Sequence, residues 1–171
     1  DVELRYRRDD ESWGVIEARG TSRVHDPKIN GIVVNYRDIT ERLAVEKEMR
    51  KLSMAVEQSS DWVVITDSTG TIEYANDTVC ALTGYTREEM IGRTPRLWRS
   101  GVHDEAFYRA LWETALSGQN YTALFTNRKK SGEPYTDEAT ITPVRDEAGQ
   151  GAAYVSVQRD VTRELKLEAQ L

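Results

Sequence analysis

A chain of 171 residues with net charge −6, 39% hydrophobic and 30% charged side chains suits one ordinary domain, or one domain plus a fragment. It has no apolar run long enough to span a bilayer and no charged-then-apolar leader, so neither direct membrane contact nor secretion is expected. The acidic balance without a basic cluster argues against nucleic acid as partner, and Cys80, the only cysteine, excludes an internal disulfide and fits the cytoplasm.

The chain opens at Asp1 inside an extended pattern, as an excerpt of a longer protein would. Its first landmark, Arg37-Asp38-Ile39-Thr40-Glu41-Arg42-Leu43, returns as Arg159-Asp160-Val161-Thr162-Arg163-Glu164-Leu165. The same offset sets Val45 on Leu167 and Met49 on Leu171, and lays Trp13–Glu17 on the strand around Tyr135–Ala139. Such a period is domain-sized, too long for a solenoid. Residues 1–40 therefore read as the back portion of a module whose complete copy occupies residues 58–162. Each aspartate stands where a strand gives way to a helix, so its carboxylate can accept first-turn amides and favour the helix dipole. Glu41 completes a box-like cap in the first copy; Arg163 takes that place in the second.

Between the copies, Thr40–Val56 contains no Gly or Pro, and Val45, Met49, Leu52 and Val56 step by four, three and four residues, as in a coiled-coil seam. Two readings remain open for residues 41–57: an amphipathic helix lying on the sheet, or a linker helix that pairs with a second chain. So short a seam needs help from neighbouring domains.

The complete copy begins with a strand at Trp62–Thr66, a turn at Asp67–Gly70 and a second strand at Thr71–Tyr74. Asn76 can cap a helix carrying Val79, Cys80 and Leu82 that ends at Gly84, and Thr86 with Glu89 forms a capping box for the next. Residues 103–117 set Phe107, Tyr108, Leu111, Trp112, Ala115 and Leu116 on one helical face. Trp112 is expected in the core; Trp98, beside Arg96 and Arg99, either joins it or lines a pocket mouth. Strands follow at about 120–129, 134–145 and 152–160. This order predicts an α+β fold, a five-stranded antiparallel sheet with its helices on one face.

The run Val63–Asn76, the step Leu82-Thr83-Gly84-Tyr85 and the closing Arg159-Asp160-Val161-Thr162 resemble PAS sensor domains over about residues 57–165, and residues 1–40 resemble the last three strands of a preceding PAS module. The resemblance implies an input domain of a bacterial signalling protein, chiefly a histidine kinase or diguanylate cyclase. Such a domain holds a small molecule or cofactor between sheet and helices, or binds nothing and mediates contacts. It further implies a signal relay through Asp38, Thr40, Arg159, Asp160 and Thr162, a homodimer through the linker helices, and an output domain beyond the helix that starts at residues 163–171.

Flavin-binding relatives supply the sharper expectations. The light-oxygen-voltage branch carries Gly-Arg-Asn-Cys-Arg-Phe-Leu-Gln where this chain has Gly92-Arg93-Thr94-Pro95-Arg96-Leu97-Trp98-Arg99. Pro95 in the cysteine's place rules out FMN photochemistry of that kind. Asn127 and Gln158 match the ring-binding amides, and Asp137 stands where a second asparagine would be. The chain also resembles FAD-binding redox sensors through Leu124–Lys130, Glu138 on the next strand, and Tyr121 in place of a frequent tryptophan. A carboxylate beside a flavin could relay its redox state by protonation. With Trp98, these residues form the expected cofactor-binding set. Haem would need a histidine on the long helix, and His103 at its start is a better capping or surface residue. The alternative is a cofactor-free module acting as a dimerisation scaffold. No nucleophile–base pair, phosphate-cradling glycine loop or metal-ligand spacing is present in the sequence, so catalysis is not expected.

Overall fold

The structure is a computed structural model that describes residues 1–149 and 151–170, with Ala152 described by its backbone alone. Leu171, set opposite Met49 in the repeat, lies outside the described residues. The chain divides into two compact units, Asp1–Met54 and a second from Ala55 onward.

The first unit holds β1 (Val2–Arg7), β2 (Trp13–Arg23) and β3 (Gly31–Asp38) as an antiparallel sheet in that order, followed by α1 (Thr40–Glu57), which runs into the second unit. No residue of α1 is buried, and Val45, Met49 and Leu52 are exposed.

The second unit contains β4 (Trp62–Asp67), β5 (Ile72–Ala75), α2 (Asp77–Thr83), α3 (Arg87–Met90), a 3₁₀ turn at Pro95–Trp98, α4 (Glu105–Leu116), β6 (Tyr121–Arg128), β7 (Pro134–Arg145), β8 (Gly151–Asp160) and α5 (Thr162–Glu168). The sheet is antiparallel in the order β5-β4-β8-β7-β6. This is the expected α+β architecture. Trp62, Val64, Ile72, Ala75, Val79, Met90, Trp98 and Tyr135 form its main core, with a second cluster around Leu111, Phe125 and Ala139.

Both sheet edges are covered, which removes the unpaired backbone rows that invite aggregation. Gly92 and Arg93 exchange backbone hydrogen bonds with Ile72 on the β5 edge. On the β6 edge Arg99 bridges to Asn127, the Ser100 hydroxyl donates to the Thr126 carbonyl, and His103 Nε2 accepts from the Thr126 amide at 2.8 Å. His103 thus precedes α4 and serves the sheet edge, while Asp104 caps the helix by accepting from the Phe107 amide.

The repeat is visible in hydrogen bonds. Thr40 Oγ1 accepts from the Val15 amide and Ile39 N donates to the Val15 carbonyl; Thr162 Oγ1 accepts from the Thr136 amide and Val161 N donates to the Thr136 carbonyl. Val15 therefore corresponds to Thr136, so Trp13–Glu17 falls on Pro134–Glu138, one residue earlier than the sequence alignment has it. The β7–β8 hairpin is one residue longer than β2–β3 and shifts register at Val144/Arg145.

Asn76 does not cap α2 through its side chain. Its Oδ1 accepts from the Val63 amide, and Nδ2 donates to the carbonyls of Val56 and Asp61, each at 3.0–3.1 Å. The fully buried amide thus ties β4 to the chain just before it. The Thr86–Glu89 capping box forms as expected, and the Gly84 C-cap takes φ 75°, where glycine alone is unstrained. Replacing Asn76 with Ala strands several buried backbone groups and should destabilise the second unit by about 2–3 kcal/mol, read as a lower urea midpoint with an unchanged slope.

Candidate functional site

Strand alternation builds the site. Val64 and Thr66 of β4, Phe125 and Asn127 of β6, Asp137, Ala139 and Ile141 of β7, and Tyr154, Ser156 and Gln158 of β8 share one face of the sheet. Above them lie the 3₁₀ turn and α4. Together they enclose a cavity of about 430 Å³, within the size range of small-molecule sites.

Its walls are mixed, apolar side chains alternating with polar ones from each strand that lines it and from the 3₁₀ turn. Asn127 Nδ2 donates to Asp137 Oδ1 at 2.9 Å, and Gln158 Nε2 donates to Ser156 Oγ at 2.8 Å. Asp137 is 1% exposed, and its Oδ2, like Trp98 Nε1, has no hydrogen-bond partner among the described residues. A buried polar atom without a partner costs free energy and marks a place for one. Burial pushes the Asp137 carboxyl up to about 7; the Asn127 hydrogen bond opposes the rise and the nearby charge of Asp160 adds to it. At neutral pH this carboxyl can both donate and accept. Arg96 and Arg99 stand at the mouth, with the Arg99 guanidinium 3.5 Å from the centre of the Tyr108 ring.

Of the expected cofactor-binding set, Asn127, Asp137, Gln158 and Trp98 are brought together on this cavity. Trp98 belongs at once to the core and to the cavity wall. Glu138 and Tyr121 are not among the lining residues. Glu138 points to the other face of the sheet, where it meets Arg159 at 3.5 Å; β7 is continuous, so burying Asp137 turns Glu138 out. Tyr121 packs edge-on near Phe107 and Phe125 in the second cluster. Trp112 is not core: it is 37% exposed at the cavity rim, edge-on to Tyr154 and against Gly70, where a Cβ would come within 3.2 Å of its ring. Leu116 is exposed too: of α4 only Leu111 and Ala115 are buried, with Phe107 and Tyr108 partly buried beside them.

The junction between β8 and α5 is a second built feature. Asp160 Oδ1 accepts from the Thr162 amide at 2.8 Å, as Asp38 Oδ1 does from Thr40 at 2.9 Å, an Asx-type turn at the helix start. The threonine hydroxyl clasps the neighbouring strand, and the residue between, Ile39 or Val161, is buried. The helix start is thereby held to two strands at once. Motif spacing alone carries no signal for that clasp. Arg159 is exposed, 3.8 Å from Glu164, and such pairs contribute little.

A family model described as PAS fold matches residues 56–166, and the chain belongs to this family of sensory domains of signalling proteins. The nitrogen fixation regulatory protein of Klebsiella oxytoca is 33% identical over 116 residues, 68% of this chain and 23% of that protein. The aerotaxis receptor of Escherichia coli (strain K12) is 30% identical over 99 residues, 58% of this chain and 19% of that receptor. The chain thus spans less than a quarter of the length of these curated relatives. An RNA-binding light-oxygen-voltage receptor of known structure superposes with a TM-score of 0.64 at 28% identity, over 72% of this chain and 37% of that one. Among the described residues no helix is long and apolar enough to cross a membrane, and no group of three or more His, Cys, Asp or Glu could hold a metal ion.

Asp137 sets a pH dependence. Between its ordinary value of 3.8 and about 7 the folded state holds a proton that the unfolded chain has lost, so this group lowers stability as pH rises through that window, by up to about 1.4 kcal/mol per pH unit. Urea unfolding at pH 5 and pH 8 should show Asp137→Asn gaining on the parent at the higher pH. A constant difference between the two proteins would refute the assignment.

Proposed function

We propose that this chain is the sensory and relay region of a larger cytoplasmic signalling protein, and that its second unit senses a small, flat, partly polar molecule in the cavity. The observation that carries the reading is the convergence of Asn127, Asp137, Gln158 and Trp98 on one enclosed space, with Asp137 Oδ2 and Trp98 Nε1 left for an incoming group. Residues 1–40 are taken as the C-terminal part of a preceding PAS module, a reading supported by the matching threonine clasps. The signal leaves through Asp160, Val161 and Thr162 into α5 and on to an output domain. The corresponding entry runs from Asp38 and Thr40 into α1.

FAD redox sensing is a second reading, favoured by the donor set itself. A flavin edge needs both donors and acceptors, and Asn127, Gln158 and a protonated Asp137 offer both. Arg96 and Arg99 at the mouth suit a phosphate-bearing tail. When bound, FAD would supply a redox couple; the chain would bind and orient its ring and hold a proton at Asp137. FMN photochemistry of the cysteine type has no place here, because Pro95 opens the 3₁₀ turn on the cavity wall.

Two measurements test these readings. Purified protein should release a small molecule on denaturation, and a flavin would show as visible absorption. A colourless preparation that releases nothing would replace sensing with the scaffold role. Dimerisation through Val45, Met49, Leu52 and Val56 rests on a seam of which Val45, Met49 and Leu52 are exposed. Light scattering should give a dimer, and Met49→Glu should shift it towards monomer; a parent already monomeric at the same concentration would exclude this pairing.

A further inference from the structure

Asp137 and Asp160 are direct partners in the antiparallel ladder between β7 and β8. Directly opposed residues rise from the same face of a sheet with Cβ atoms about 5 Å apart. One of these carboxyls lines the cavity and has an unpartnered oxygen; the other holds the Thr162 amide at the exit junction. We propose that the two form a coupled pair through which the exit junction reads the charge state of the cavity: a neutral Asp137 leaves the Asp160–Thr162 hold intact, and a charged Asp137 loosens it. The coupling deepens the sensing reading and rests on it for what occupies the cavity, though not for the link itself.

The surroundings leave little else to answer a charge on Asp137. The ionisable groups lining the cavity are Tyr154 from β8, Tyr108 from α4, and Arg96 and Arg99 from the 3₁₀ turn and its cap. Tyr135, two residues back on the same strand, is buried and feels the Asp137 charge; Asn127 from β6 occupies Oδ1. Among the described residues no cation forms an ion pair with Asp137, and Arg99 is engaged over Tyr108. The like charge of Asp160 is therefore the dominant ionic neighbour. Linkage then runs both ways. Whatever draws the proton from Asp137, such as a ligand bringing N–H donors or positive charge, raises repulsion at Asp160. Whatever accepts a hydrogen bond from the protonated acid keeps the junction closed.

The first copy of the junction is an internal control. The residue paired with Asp38 is Ile16, so no second carboxyl faces it.

The test is an NMR titration of side-chain carboxyls and backbone amides in the full chain without added ligand. Asp160→Asn keeps an oxygen for the Thr162 amide but removes the charge, and should lower the Asp137 midpoint by about one pH unit. In the parent, the Thr162 amide proton should shift with the Asp137 midpoint, and that inflection should vanish in Asp137→Asn; the Thr40 amide should show none in either. An unchanged Asp137 midpoint in folded Asp160→Asn overturns the proposal. So does a Thr162 inflection that is absent from the parent or persists in Asp137→Asn, a readout that stands even if Asp160→Asn does not fold. Because no ligand is used, a protein that proves to bind nothing would leave this result intact, and the two ideas fail separately.

Discussion

The ladder between β7 and β8 is the constraint on which the rest depends. β8 runs through the middle of the sheet, paired to β4 on one side and β7 on the other, and a strand period of two admits no partial answers. Once Ala139 sits opposite Gln158 and Asp137 opposite Asp160, the cavity receives Asp137, Ala139, Ile141, Tyr154, Ser156 and Gln158 together. A slip of β8 by one residue would put Val157 and Arg159 inside and turn Tyr154, Ser156 and Gln158 to solvent. The buried acid, the mixed walls and the exposed Glu138–Arg159 pair are consequences of a single register.

That register also explains why the site is costly and why the cost is concentrated. Most of the sheet face is covered by Trp98, Leu111 and their neighbours, which satisfy their surroundings by packing. Among the described residues two cavity-lining side chains carry an unpaired buried polar atom, Asp137 on β7 and Trp98 on the 3₁₀ turn. A scaffold needing only contact surface would gain stability by replacing Asp137 with an apolar residue of similar size.

Much of the fold was legible because it is written in local chemistry. The Thr86–Glu89 box, the Gly84 stop and the alternation along residues 134–145 each act within a few residues, and each formed where its pattern lay. The resemblance brought both Asp137 and Glu138 into the expected set, and strand alternation, which puts them on opposite faces, admits only Asp137 to the cavity. The features that were not legible have distant partners. Asn76 looks like a helix cap because asparagine before a helix usually is one, yet its partners lie at Val56, Asp61 and Val63. Trp112 shares a helical face with Leu111, but that face is wider than the strip α4 buries, so the indole ends at the rim. The threonine clasps join residues more than twenty positions apart, beyond the reach of any motif spacing.

The two copies of the junction show how one motif can be set to different tasks by its partner strand. In the first, Asp38 is gripped by the Thr40 hydroxyl, by Tyr6 at 2.5 Å, by the Thr40 amide and by Arg8 at 2.9 Å, and its carboxyl is held far below the usual range. Opposite it stands Ile16. Such a carboxylate stays charged at any physiological pH, and nothing across the ladder can change sign against it, so this junction is a fixed strut from β3 into α1. In the second copy Asn127 stands on β6 where Tyr6 stands on β1, and Asp137 stands where Ile16 does. The phenol that gripped the aspartate has become an amide that grips the cavity acid, and the apolar partner has become a titratable one. Two exchanges on neighbouring strands turn a strut into a junction that feels the cavity, while the threonine clasp and buried anchor that hold the helix remain the same.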